Sequence, residues 1–174
     1  MDAIGVLVAQ HRAIETLFDE VQNETGRRRL ASAVSRLAEE LIAHLAAEEA
    51  VFYPALRRVL DDGREITDRG RNEHLALRIE LRRMLEASVS EPSFTERIAG
   101  MRLLFERHMR QEEDELFPRF ATAAPESQRQ SLGEEIIASR PPVWIVTTEG
   151  RALVQRNGEW SLRSRVSLPI PARR

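Results

Sequence analysis

An eleven-residue pattern occurs twice in this chain and limits what the chain can become. Residues 44–54 read H-L-A-A-E-E-A-V-F-Y-P, and residues 108–118 read H-M-R-Q-E-E-D-E-L-F-P. Each copy has a His, a Glu pair four and five residues later, an aromatic residue and a Pro. An upstream echo precedes each copy, His11-Arg12-Ala13-Ile14 and His74-Leu75-Ala76-Leu77. The lone histidines are 63 residues apart and the motif histidines 64, so the chain is a duplicated unit of His followed by His-x-x-x-Glu. Its only four histidines are these four. Imidazole is the commonest metal-binding side chain, and Glu adds hard oxygen. Four His and two Glu in a two-fold repeat point to a dinuclear metal site.

The residues around these motifs repeat with helical period. Asp2 is placed to cap a first helix that carries Ile4, Leu7, Val8, His11, Ile14, Phe18 and Val21 on one stripe. A break is expected near Glu24-Thr25-Gly26. The second helix carries Leu30, Val34, Leu37, Leu41, His44, Glu48, Val51 and Ala55, alternating three and four apart. Asp61-Asp62-Gly63 reads as a turn. The third helix carries Gly70, His74, Leu77, Leu81 and Met84. After a break from Ser88 to Ser93, the fourth carries Phe94, Ile98, Met101, Phe105, His108, Glu112 and Leu116. Pro54 and Pro118 are expected to kink or end helices two and four, because Pro removes a backbone donor. Pro125 to Ser139 reads as a shorter fifth helix.

Four helices with short connections pack up-down-up-down. Residues on antiparallel neighbours are level when equally far from the turn. The midpoint of His74 and His108 is residue 91, inside the third break; that of His11 and His44 lies beside Gly26; that of His44 and His74 is 59, close to the second turn. At about 1.5 Å per residue the mismatches are one turn or less. All four histidines therefore lie at similar depth on core seams, with Glu48 and Glu112 one turn further on the same face. One His on an apolar stripe is ordinarily a core residue with a hydrogen bond. Six such residues in one layer differ, because buried carboxylates are costly unless paired or bound to metal.

Glu49 and Glu113 flank the seam by helical phase and read as supporting or surface residues. Glu15 also flanks it. Glu73 reads as solvated. Tyr53 and Phe117 hold equivalent places and read as packing residues closing one end of the bundle, with Tyr53 the only tyrosine.

Beyond residue 139 the character changes. Pro141-Pro142 breaks the chain, Val143–Thr148 is β-rich, and Asn157-Gly158 is a hairpin signal. Residues 143–148, 152–155 and 160–166 read as a small meander, and 169–174 as a tail. A packing flap or a homodimer contact is the simplest use for residues 140–174. The formal net charge of −2 points away from nucleic acid and anionic membrane, and the chain has no Cys to supply disulfides or thiolate ligands. No run approaches a membrane span, and Met1-Asp2-Ala3-Ile4-Gly5 has no leader character, so a cytoplasmic protein is expected.

The lone His11, the pair His44/Glu48, the lone His74 and the pair His108/Glu112 resemble the hemerythrin family in its bacterial hemerythrin-like, HHE cation-binding branch. The resemblance covers about residues 1–120. It implies an all-α, antiparallel four-helix bundle over 1–139 that holds two non-haem irons, oxo- or hydroxo-bridged, with manganese or zinc as other metals for such ligands. His11, His44, His74 and His108 would be terminal ligands, and Glu48 and Glu112 would bridge. Oxygen-carrying members have a second His four residues after the third-helix His; this chain has Arg78 there. They also place an Asp five residues after the fourth-helix His, where the match here is Glu112 at four. Arg78 is expected to turn outward or to pair with a carboxylate such as Glu15.

With one His fewer, the resemblance implies a di-iron protein that reacts with or senses dioxygen, peroxide, nitric oxide or iron. An enzyme performing catalase-like peroxide dismutation or ferroxidase oxidation is the alternative. An oxygen carrier or store, or a bundle with purely structural metal, stands behind both.

Overall fold

The computed structural model describes residues 1–87, 91, 93–139, 144–146, 152–156 and 159–163. The chain divides into two compact units, 1–141 and 142–174.

The first unit is helical. Helix α1 spans Ala3–Asn23, and the Asp2 carboxylate caps it by accepting from the Gly5 N–H at 2.9 Å. After the turn at Glu24–Gly26, α2 spans Arg27–Ala47. Next comes a π turn over Glu48–Phe52 and then α3, Tyr53–Val59. Helix α4 is Gly63–Glu86 and α5 is Ser93–Gln111. A second π turn covers Glu112–Leu116, followed by α6, Phe117–Ala123, and α7, Glu126–Ala138. Helix α1 packs on α2 and α5, and α4 packs on α5 and α2, so four helices enclose one interior. No described helix is long and apolar enough to cross a membrane.

Neither Pro54 nor Pro118 ends its helix; each chain direction continues to Val59 and Ala123. The Tyr53 N–H bonds the Glu48 carbonyl, and the Phe117 N–H bonds the Glu112 carbonyl, each five residues back. A Pro ring clashes with the carbonyl four residues earlier in a regular helix. One widened turn directly before each Pro accommodates the ring and lets the helix go on.

Two apolar layers sandwich the histidines. Phe18, Leu37, Leu41, Leu81, Met101 and Phe105 are buried on one side. On the other, Leu7, Phe52, Tyr53, Leu56, Phe117 and Phe120 form a continuous cluster that α7 joins through Leu132 and Ile136. Helix α7 thus closes the end of the bundle nearest the π turns.

The second unit contains three strands, β1 (Trp144–Val146), β2 (Ala152–Arg156) and β3 (Glu159–Arg163). They form one antiparallel sheet in the order β1-β2-β3, with Trp144 opposite Val154 and Leu153 opposite Leu162. Pro141-Pro142, the Asn157-Gly158 turn and the tail lie outside the described residues, as does most of the break before α5.

Candidate metal centre

The chain places six polar side chains where a bundle normally puts apolar ones. His11, His44, Glu48, His74, His108 and Glu112 are each at most 3% exposed. They arrive there by phase: each motif Glu follows its His by one turn on the inward seam. The rings form two pairs, His11 with His44 at 4.7 Å between centroids and His74 with His108 at 4.9 Å. Each pair comes from one copy of the repeat. Across the copies, His11 and His44 lie 6.4 and 6.1 Å from His108.

The two carboxylates sit between the pairs. Glu48 Oε1 is 3.4 Å from His44 Nε2, while its Oε2 is 3.1 Å from His74 Nε2 and 3.4 Å from His108 Nε2. Glu112 Oε2 is 3.3 Å from His11 Nε2 and 3.6 Å from His108 Nε2. Donor atoms from His11, His44, Glu48, His108 and Glu112 all lie within 4.8 Å of one another. His74 falls outside that group of five and joins it through Glu48.

Every imidazole is held from behind. Its Nδ1–H donates outward and leaves Nε2 facing the cluster. His11 donates to Glu113 at 2.8 Å and His74 to Glu49 at 2.7 Å. His44 donates to Gln10 at 3.0 Å and His108 to Glu73 at 3.2 Å. These partners obey the repeat. The residue before each lone His supports the motif His of its own copy. The residue after each motif Glu supports the lone His of the other copy. Such outer hydrogen bonds fix the ring tautomer and orientation wherever His binds metal.

Among the described residues, nine buried side-chain nitrogen and oxygen atoms have no hydrogen-bond partner, and seven of them are here. They are Nε2 of His11, His44 and His108 and both oxygens of Glu48 and Glu112. An unsatisfied buried group costs about 1–3 kcal/mol. Seven together rival a domain's whole stability of about 5–15 kcal/mol. Cations supplying the missing partners remove that cost, so the donor set fits metal.

Charge within the cluster is strained in the same sense. Burial, reinforced by the Glu48 charge, pushes Glu112 up to about 7. Burial also acts to raise Glu48, but His44, His108 and His74 overcome it and hold that carboxyl well below its ordinary value. Burial pushes His44 down to about 3. It opposes charge on His108 too, yet Glu112, Glu48 and Glu73 leave that imidazolium raised.

Several expectations change at the residues around this cluster. Glu73 is not simply solvated; it is half-buried against His108. Tyr53 is more than packing: its O–H donates to His74 Nε2 at 2.9 Å while its ring stacks on the imidazole. Arg78 pairs with Glu49 at 2.6 Å rather than with Glu15, which instead pairs with Arg12 at 2.8 Å. Arg12 also binds Glu113, so Glu49 and Glu113, the residues after the two motif glutamates, each end on an Arg. Gln10 joins the site without being among the residues expected there, although a polar residue directly precedes each lone His.

The chain resembles known proteins over most of this region. The family model described as hemerythrin HHE cation binding domain matches residues 2–120. A DNA nickase from Nostoc sp. (strain PCC 7120 / SAG 25.82 / UTEX 2576) is 26% identical over 149 residues, covering 82% of this chain and 40% of that protein. This chain therefore spans less than half of that relative. A crystal structure of a hemerythrin HHE cation-binding domain-containing protein from Mycobacterium kansasii superposes with a TM-score of 0.69 at 23% identity. That match covers 79% of this chain and 84% of the other, and it shows a shared fold.

Proposed function

This chain belongs to the hemerythrin HHE cation-binding family, and on that premise we propose that it is a non-haem di-iron protein that reacts with or senses dioxygen, peroxide, nitric oxide or iron. The observation that carries this reading is the set of seven buried atoms without partners, three imidazole nitrogens and the four oxygens of Glu48 and Glu112, set among two histidine pairs. His11, His44, His74 and His108 would be terminal ligands and Glu48 and Glu112 the bridging ones. Glu48 supports a bridging role because its two oxygens face histidines of different copies.

Imidazole with carboxylate suits iron, which would supply redox change and open coordination positions; manganese and zinc accept the same donors. The chain's own residues do the rest. Glu113, Gln10, Glu49 and Glu73 keep each Nε2 inward as a lone pair. The apolar layers on either side keep bulk water out. Tyr53 donates into the lone pair of His74, so a metal at that nitrogen requires the hydroxyl to release it.

We further read the four main helices as an up-down-up-down bundle, with the metal domain at 1–139 and the β-rich segment at 140–174 as a separate appendage. The absence of Cys suits a cytoplasmic protein. The nicking activity in one relative's name is not carried over, since this chain matches 40% of that protein and has a net charge of −2.

A second reading, an enzyme for peroxide dismutation or ferroxidase chemistry, is favoured by one feature. A cavity of about 40 Å³ reaches His108, Glu112 and Tyr53. Elemental analysis and an optical spectrum of natively purified protein test the first reading: two irons per chain are expected. Zinc alone, or no metal, removes the redox proposal. Hydrogen peroxide then separates the two readings, because an enzyme evolves oxygen over many turnovers and a sensor gives one stoichiometric spectral change.

A further inference from the structure

The repeat should make the two ends of the cluster alike, and they are not. Offsets of 63 and 64 residues set Leu7 against Gly70 and Phe117 against Tyr53. At the His11 end, Phe117 stacks on the imidazole with centroids 5.9 Å apart, and the fully buried Leu7 lies in the same apolar cluster. That end is filled. At the His74 end, Gly70 leaves out a side chain. A Cβ there would collide with the Tyr53 hydroxyl.

The missing side chain makes room for the Tyr53 hydroxyl, and open space remains beside the two. The cavity of about 40 Å³ is lined by Tyr53, Gly70, Gln111 and Glu115 and extends to His108 and Glu112. Roughly two or three water-sized molecules fit such a volume. A larger groove at the other end runs along Ile4, Val8, Glu113 and Phe117, and its lining includes none of the four histidines and neither buried Glu. Phe117 is where that groove stops.

Charge narrows what can use the open end. Glu73, Glu112 and Glu115 line it against Arg69 and Arg119, and Arg119 is paired with Asp62 at 2.7 Å. His108 lines it too, so the carboxylates are matched by basic groups and no net charge draws an ion in; shedding its water then costs an ion far more than an uncharged molecule.

We propose that the centre is entered from one end only, past Gly70 and Tyr53, and that the entrant is an uncharged molecule of two to four atoms, such as a diatomic gas or hydrogen peroxide. Leu7 and Phe117 seal the opposite end. Gly70 is thus a specificity-determining residue, and the duplicated unit has become one door and one wall. This rests on the di-iron reading for its purpose, but the route itself exists without metal.

The first test needs no redox chemistry. In metal-free or zinc-loaded protein under dissolved dioxygen, paramagnetic broadening of amide resonances reports where the gas enters. Broadening at Gly70 and Tyr53 is expected to exceed that at Leu7 and Phe117 at least threefold. Gln111→Trp, a change at a half-buried position on the cavity wall, is expected to remove the difference. Equal broadening at both ends, or a difference that survives the plug, overturns the proposal. The second test uses iron-loaded protein and association rates. Gln111→Trp is expected to slow nitric oxide at least tenfold with metal content unchanged, and Gly70→Ala, whose methyl must displace the Tyr53 hydroxyl, is expected to change that rate as well. Glu115→Gln is expected to speed azide several-fold and leave nitric oxide unaltered. Unchanged nitric oxide rates in both variants refute the route, and azide indifferent to Glu115 refutes the charge selection. Failure to load iron would instead sink the di-iron reading and leave the dioxygen experiment decisive for the route.

Discussion

Glu49 accepts a hydrogen bond from Nδ1 of His74 at 2.7 Å, so the residue after one copy's buried Glu orients the lone His of the other copy. Glu113 does the same for His11. Glu48, by contrast, points both oxygens at Nε2 atoms, and Glu112 turns its Oε2 toward two of them. Loss of an outer partner typically costs about 10–100-fold in metal affinity. Glu49→Ala and Glu113→Ala should fall in that range, while Glu48→Ala and Glu112→Ala should lose metal outright on purification. Metal content by mass spectrometry of the native protein decides this. Equal losses from neighbours in a pair would contradict the assignment.

Removing metal should lower the melting temperature. A cation at 100-fold over its Kd stabilises a fold by about 2.7 kcal/mol. For a chain of this length about 2–4 °C accompanies each kcal/mol, so a drop of roughly 5–10 °C is expected after chelation. Differential scanning calorimetry before and after verified metal removal checks it. An unchanged transition would place the metal outside the core.

Metal affinity should fall as the solution is acidified. In the metal-free protein, burial and Glu48 push the Glu112 carboxyl up to about 7, above its ordinary value of 4.5. Below about pH 7 a cation must therefore displace that proton, which costs about tenfold in apparent affinity per pH unit. Above it this group adds no further dependence. The sign for folding is opposite to that of a salt-bridged carboxylate. Protonation of Glu112 favours the metal-free fold, a contribution complete below pH 4.5 and lost as pH rises through 7. Competition titrations against a chelator between pH 5.5 and 8 test the binding slope.

Tyr53→Phe should act in opposite directions on the two states. The metal-free protein loses a buried hydrogen bond worth about 1 kcal/mol. Metal at His74 no longer has to displace the hydroxyl, so affinity should rise by a few-fold. Weaker binding in Tyr53→Phe would mean that the phenol itself helps hold the cation.

The buried layer was legible because helical periodicity and a duplicated motif reinforce each other. His44 and Glu48 fall on a three-four seam with Leu37, Leu41 and Val51, and turn midpoints bring the seams level. The supporting residues were less legible. Glu73 and Gln10 sit about 100° around the helix from the histidines they precede, and one sequence does not say which neighbouring helix they will meet. Arg78 illustrates this: its phase allowed several carboxylates, and packing selected Glu49. The wide turns were invisible because a shift in hydrogen-bond partner has no composition of its own. Pro54 and Pro118 mark the places, but their chemistry alone says only that a helix kinks or ends there.

The wide turns also say something about descent. Each begins at the motif Glu, four residues after its His, and each ends immediately before the aromatic residue that precedes Pro. Two independent origins at the same step are improbable for so rare a conformation. The parsimonious history is an ancestral gene for one repeat unit, already carrying the widened turn, whose product paired with itself about a two-fold axis. Since Glu49 and Glu113 reach across to the opposite copy, neither half held its histidines alone. Self-association would then have preceded fusion, and fusion would have freed Gly70 and Leu7 to diverge.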